Sequence, residues 1–229
     1  MKTIGLIGGM SWESTVTYYQ LINSEIGERL GGLHSAKCLL YSVDFAEIED
    51  YQRQGEWDRA GETLADAAVR LESAGADFIV LCTNTMHKVI DRLEAAIQIP
   101  VLHIGDVTAR AIQQKHLDKV GLVGTAYTME EDFLIERIRA HGIEVMVPDE
   151  TEREIINKVI FEELCLGRIR DTSRTYFLEV VDRLANAGAA GVILGCTEVG
   201  LLINQDDKEA PFFDTTKLHA MAAVDMALE

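Results

Sequence analysis

Proline is nearly missing from this 229-residue chain, with three in all, and no Ser- or Gly-rich stretch could serve as a tether. Parts of the molecule should therefore be joined tightly. Cysteine is scarce too. Cys38, Cys82, Cys165 and Cys196 lie far apart, without a C-x-x-C pair or metal-like histidine spacing. That excludes a disulfide framework or zinc module and points to a reduced, cytoplasmic protein. No apolar run approaches the ~20 residues that span a membrane. The start, "MKTIGLIGGMSWEST", is interrupted by Trp12–Glu13 and has no cleavage-type sequence, so it reads as a buried first strand and not a signal peptide. Positive charge is short: 21 Lys and Arg against 38 Asp and Glu, a net charge of −17, leave no footprint for a nucleic-acid backbone. An anionic small substrate stays open, because local donors and not net charge set such a site. Nucleotide signatures are missing as well. "GLIGGM" is not G-x-G-x-x-G, and neither a phosphate-loop Lys-Ser/Thr nor a G-x-S-x-G occurs.

What the chain does contain is repetition. "AGADFIVLCTNTMH" (Ala74–His87) and "AGAAGVILGCTEVG" (Ala187–Gly200) overlay without gaps; Cys196 falls opposite Thr83, and Cys82 opposite Gly195. "KTIGLIGG" (Lys2–Gly9) resembles "DKVGLVGT" (Asp118–Thr125), and "IPVLHIGDVTARAI" (Ile99–Ile112) resembles "APFFDTTKLHAMAAV" (Ala210–Val224). Three pairs in one order describe a duplicated α/β unit.

Strands are expected over Cys38–Val43, Asp77–Cys82, Val120–Val123, Glu144–Val147 and Gly191–Leu194. Helices are expected over Trp12–Leu30, Trp57–Ser73, His87–Ile97, Met129–His141, Thr151–Leu166 and Thr172–Asn186. Short apolar strands alternating with longer helices predict parallel sheets covered on both faces. The fold class is α/β: two pseudo-symmetric, doubly wound parallel-sheet domains with the active site in the cleft between them. The first domain is residues 1–100, with a C-terminal helix in 211–229 packing back on it; the second is residues 101–210.

In such sheets ligands bind beyond the carboxyl ends of the strands. Three small, polar stretches fall there: Gly8–Ser11, Thr83–His87 and Gly195–Glu198. Amides at helix starts suit a carboxylate. Taken singly, Asn84, Thr85 and Thr197 are equally well explained as helix caps; the matched recurrence favours a site. Cys196, flanked by Gly195, Thr197 and Glu198, is the candidate base or nucleophile, its thiol expected to be acidified by nearby amides. Cys38 and Cys165 sit in apolar patterns that read as inert burial. Cys82 should face away if Thr83 faces the site, since successive strand residues alternate. A metal site from Cys82, His87 and His103 lacks close spacing.

These segments, "IGLIGGMSWEST", "LCTNTMHK", "VGLVGTAYTMEEDF", "FEELCLG" and "GVILGCTEVG", resemble the cofactor-independent aspartate/glutamate racemases essentially from end to end. The resemblance implies two thiols flanking the substrate Cα, one removing a proton while the other delivers one. It implies no pyridoxal phosphate, no other cofactor and no metal, a small acidic amino acid as partner, and a homodimer. This chain differs in having Thr83 at the first thiol position. The implied enzyme is an asymmetric isomerase in which Cys196 abstracts the α-proton of L-aspartate or L-glutamate and Thr83 serves the opposite face weakly. By the same resemblance, Asn84 and Thr85 bind the α-carboxylate; Thr197 and Glu198 contact the substrate, Glu198 near its ammonium; Met10, through its backbone, and Ser11 line the cleft. Gln52, with Arg53 as competitor, takes the distal carboxylate unless that helix face is merely solvated. Cys165 stands where some relatives carry a lysine, and Tyr127 and Thr128 are further candidates. Two other outcomes fit a single thiol: a decarboxylase or isomerase of malonate- or maleate-like acids, and a non-catalytic acidic amino-acid binder.

Overall fold

The computed structural model describes every residue, Met1–Glu229, and the chain falls into two compact units. The first comprises Met1–His103 together with His219–Glu229, the second Ile104–Leu218. In chain order the first unit contains β1 (Ile4–Gly8), α1 (Trp12–Leu30), β2 (Cys38–Ser42), α2 (Phe45–Gln54), α3 (Trp57–Ser73), β3 (Phe78–Leu81), α4 (Ile90–Ala96) and β4 (Val101–Leu102). The second contains α5 (Ile104–Gln114), β5 (Lys119–Gly124), α6 (Ala126–Glu130), α7 (Asp132–Arg139), β6 (Glu144–Met146), α8 (Glu150–Glu162), α9 (Asp171–Asn186), β7 (Val192–Gly195), α10 (Val199–Leu202) and β8 (Phe212–Asp214). The last helix, α11 (Thr215–Leu228), starts in the second unit and ends in the first.

Each unit holds a four-stranded, all-parallel sheet, ordered β2-β1-β3-β4 in the first and β6-β5-β7-β8 in the second. Both are α/β, as their strand spacing predicts, because parallel strands need helical crossovers. The first sheet shows why its strands read as unbroken apolar runs. Ile4, Leu6, Phe78 and Val80 pack on one face with Tyr18, Ile22 and Ile26 of α1. Ile7, Ile79 and Leu81 pack on the other, with Leu64, Ala67, Ala68 and Leu71 of α3. Successive strand residues serve opposite cores, so neither face can be polar. Ala220, Ala223, Val224 and Ala227 of α11 join the first of these cores at helical spacing.

Helix boundaries follow from local chemistry. Ser11 caps α1, its hydroxyl accepting from the Ser14 amide at 3.3 Å, and Asp149 and Glu152 form a capping box on α8. The structure departs from the sequence expectation in four places. The helix expected over Met129–His141 is two, because Glu131 adopts extended backbone between α6 and α7. The helix expected from His87 opens with a 3-10 turn, Thr85–Val89, before α4. The one expected over Thr151–Leu166 ends at Glu162, and a separate 3-10 turn follows at Leu164–Leu166. Helix α2 is signalled in the sequence only as a helix face at Gln52 and Arg53, without bounds, since only Ile48 and Gln52 of its ten residues are buried. No helix is long and apolar enough to cross a membrane.

Candidate active site

Each sheet reverses its winding between its first and third strands in the chain, β1 and β3 in the first unit and β5 and β7 in the second. In each unit taken by itself, the loops leaving the carboxyl ends of those strands stand where parallel α/β sheets bind ligands. In the first unit they are Gly9–Ser11 after β1 and Cys82–Asn84 after β3. In the second they are Thr125 after β5 and Cys196–Glu198 after β7. Register makes the two strand ends equivalent. Leu81 lies opposite Ile7, one residue before the end of β1, and Leu194 lies opposite Val123, one residue before the end of β5. Counting on, Cys82 corresponds to Gly195 and Thr83 to Cys196.

The glycines here answer to packing. Gly9 has φ +94°, and a Cβ on it would stand 2.3 Å from the Val43 carbonyl oxygen. Its amide donates to Thr15 Oγ1 at 2.8 Å, so "GG" seats the loop on α1. A Cβ on Gly195 would meet Leu122 Cδ1 at 2.6 Å, which keeps β7 against β5 just before the thiol.

Cys196 is 8% exposed, and its Sγ lies 3.0 Å from Glu198 Oε2, which also accepts from Thr197 Oγ1 at 2.5 Å. The expectation of an acidified thiol is overturned. Burial, and after it the Glu198 carboxylate and Cys165, push the Cys196 thiol well above the usual cysteine range. In the resting protein the thiol therefore keeps its proton and donates it to Glu198. Thr83 is likewise 8% exposed; its amide donates to Leu81 O at 2.9 Å, and its carbonyl accepts from His87 Nδ1 at 2.8 Å. Cys82 is fully buried in the core that holds Phe78 and Val80, and burial raises its thiol also.

The other sequence candidates fall as follows. Met10, Ser11, Asn84 and Thr85 are buried at the strand ends of the first unit, and Thr197 and Glu198 at those of the second. Gln52 is buried, so the solvated-face alternative fails for it; its Nε2 lies 3.0 Å from Met86 Sδ, a weak acceptor. Arg53 is the exposed neighbour, paired with Asp50. Thr128 is buried on Thr125 at 3.0 Å, Tyr127 follows Thr125 in the same turn, and Cys38 and Cys165 are half-buried, not fully enclosed.

One cluster beside Thr83 goes beyond the His87 and His103 pairing weighed from the sequence. The rings of His87, His103 and His219 are buried together: His87 and His103 stand 4.7 Å apart by centroids, His87 and His219 5.9 Å. His219 Nε2 lies 2.8 Å from Leu102 O, and Tyr18 Oη 2.9 Å from His219 Nδ1. Burial holds His87 well below the usual histidine range and brings His219 down to about 4. Only His87 sits in a motif; Tyr18, His103 and His219 meet it through tertiary structure. No set of three or more His, Cys, Asp or Glu side chains is placed to hold a metal ion.

Residues 7–223 match the family model described as Asp/Glu/Hydantoin racemase. The chain belongs to the Asp/Glu/Hydantoin racemase family. Racemases are isomerases, and this family member is an enzyme of that class. It is 55% identical to a Yersinia pestis protein provisionally described as an Asp/Glu racemase; that structure and this one cover each other fully, with a TM-score of 0.94. It is 35% identical to an aspartate racemase homologue from Pyrococcus horikoshii, again with full coverage of both chains and a TM-score of 0.87. It is also 24% identical to the broad specificity amino-acid racemase RacX of Bacillus subtilis, over 96% of each chain. The two-sheet α/β architecture of this racemase-family chain is thus shared along its whole length.

Proposed function

We propose that the protein moves the α-proton of aspartate or glutamate without a cofactor, and that Cys196 takes it from the L enantiomer. The observation that carries this reading is the 3.0 Å pairing of Cys196 Sγ with Glu198 Oε2 directly after β7. A buried thiol is a poor base until it loses its proton, and an adjacent carboxylate is the group that can receive it. An incoming substrate ammonium beside Cys196 favours the thiolate further, because a positive charge attracts the charged form directly. The thiolate then forms S–H as Cα–H breaks, and the electron pair left on Cα spreads into the substrate carboxylate.

Inversion requires a proton delivered to the opposite face, and we assign that role to Thr83, the register equivalent of Cys196. Its hydroxyl donates to Cα and recovers a proton from water, and the proton held by Glu198 returns to water, so the cycle closes with no net proton gained or lost. A hydroxyl is a far weaker acid and base than a thiol, so initial rates favour L substrates. Asn84 and Thr85 take the α-carboxylate, with the Met10 backbone and Ser11 lining that side. Thr197 and Glu198 hold the substrate at the other strand end. Gln52 takes the distal carboxylate, its amide being held only by a thioether. A homodimer is the assigned working form, and the cytoplasm, in keeping with four unpaired cysteines, the location.

Incubating each enantiomer in deuterated water and following α-hydrogen exchange tests this. Exchange from L-aspartate or L-glutamate that vanishes in Cys196→Ala is expected. Fast exchange from D-aspartate with none from L-aspartate would overturn the assignment.

A further inference from the structure

We propose that His87 is the positioning residue for Thr83, its tautomer set by the Thr83 carbonyl and its ring held in place by the buried cluster of His103, His219 and Tyr18; the inference rests on the role given to Thr83 above. The chemistry of the partners fixes the protons. A carbonyl oxygen only accepts, so the His87 nitrogen 2.8 Å from Thr83 O, Nδ1, carries hydrogen, and the neutral ring keeps Nε2 as an acceptor. The same logic puts the His219 hydrogen on Nε2, which donates to Leu102 O, and leaves Nδ1 to accept from the Tyr18 hydroxyl. His219 is thereby pinned from α1 and from the end of β4, and its ring meets that of His87 edge-on at an interplanar angle of 64°. The His103 ring closes the other approach at 59°.

The consequence falls on Thr83. Its amide is tied to Leu81 O and its carbonyl to His87 Nδ1, so the peptide units on both sides of it are held. Threonine is β-branched and has few χ1 wells for a given backbone, so holding the backbone restricts where the hydroxyl can go. A weak acid serving one face of a carbon needs this support more than a thiol would, because its geometry is its main asset.

The experiment compares inversion with exchange. In deuterated water, Cys196 exchanges the α-hydrogen of the L substrate whether or not the opposite face is protonated, whereas inversion also needs Thr83. In His87→Leu the ratio of inversion to exchange is expected to fall by up to about tenfold, the scale of one lost hydrogen bond. In His87→Asn, whose amide nitrogen can occupy the Nδ1 position, the ratio should return to within about threefold of the parent. A merely structural role would lower both rates together and leave the ratio alone, which would overturn the proposal. If His87→Leu does not fold, long-range 1H–15N NMR of the unaltered protein decides: an Nδ1–H tautomer at His87 supports the inference and an Nε2–H tautomer overturns it. Absence of exchange in the unaltered protein would instead overturn the reading of the site, and this inference with it.

Discussion

His219 offers the sharpest quantitative test of the first unit. It is completely buried on Leu102 O and the Tyr18 hydroxyl, and burial lowers its pKa from 6.5 to about 4. Between those values the unfolded chain binds a proton that the folded protein refuses. The stability at stake is fully present above pH 6.5 and is lost as the pH falls toward 4. At about 1.4 kcal/mol per pH unit the whole gap amounts to roughly 3–4 kcal/mol, most of which is gone by pH 4.5. His219→Gln keeps a donor at the Nε2 position, cannot titrate, and removes the acceptor of one Tyr18 hydrogen bond at a cost of about 1 kcal/mol at neutral pH. The assay is urea unfolding followed by tryptophan fluorescence. Trp12 and Trp57 are the only tryptophans, and both lie in the first unit, so the signal reports the unit that contains His219. Between pH 7 and pH 4.5 the unaltered protein should lose roughly 2–3 kcal/mol more than His219→Gln. Parallel pH profiles for the two proteins would refute the argument that this histidine is held neutral.

Other consequences are quicker to check. Glu198→Gln removes the negative charge beside Cys196, so the thiol should ionise at lower pH and react faster with iodoacetamide at pH 8; an unchanged rate would show that Glu198 does not hold the thiol protonated. Thr83→Cys should raise α-hydrogen exchange from D substrates, while Cys82→Ala should leave the exchange rates of both enantiomers within about twofold because that side chain lies in the core. Gly9→Ala should cost about 2 kcal/mol or more in thermal or urea unfolding, since its backbone has φ +94° and a Cβ would strike Val43 O.

Much of the fold was legible because each strand is buried on both faces and reads as a plain apolar run ending in small residues. The strands expected over Asp77–Cys82 and Val120–Val123 appear as Phe78–Leu81 and Lys119–Gly124. The bounds of helix α2 were illegible for the opposite reason: a two-residue buried stripe in "FAEIEDYQRQ" is too short a periodic signal. Around the candidate site, local sequence places Thr83 and Cys196 at strand ends but says nothing of their electrostatics. The amides near Cys196 are visible in the sequence; the burial that outweighs them, and the turn that brings Glu198 Oε2 back to Sγ, are not. Of the buried cluster, only His87 and His103 come together in the sequence, as candidate metal ligands; Tyr18 and His219 lie too far along the chain for local reading to join them.

The asymmetry of the two halves comes down to one step of register. Both contain a cysteine near the equivalent strand end, and a composition-level view would see a matched pair of thiols at Cys82 and Cys196. Along a strand, however, neighbouring side chains leave on opposite faces, so displacement by one residue separates a group in the core from a group at the loop. Cys82 packs with Phe78 and Val80, whereas the position equivalent to Cys196 is filled by Thr83. Burial raises the Cys82 thiol, and its Sγ has only the Val80 carbonyl within hydrogen-bonding distance, at 3.7 Å; Cys196 has a carboxylate at 3.0 Å. Two thiols of the same type thus differ in whether a carboxylate stands beside them, and the proposed role of Cys196 rests on that difference more than on the count of cysteines.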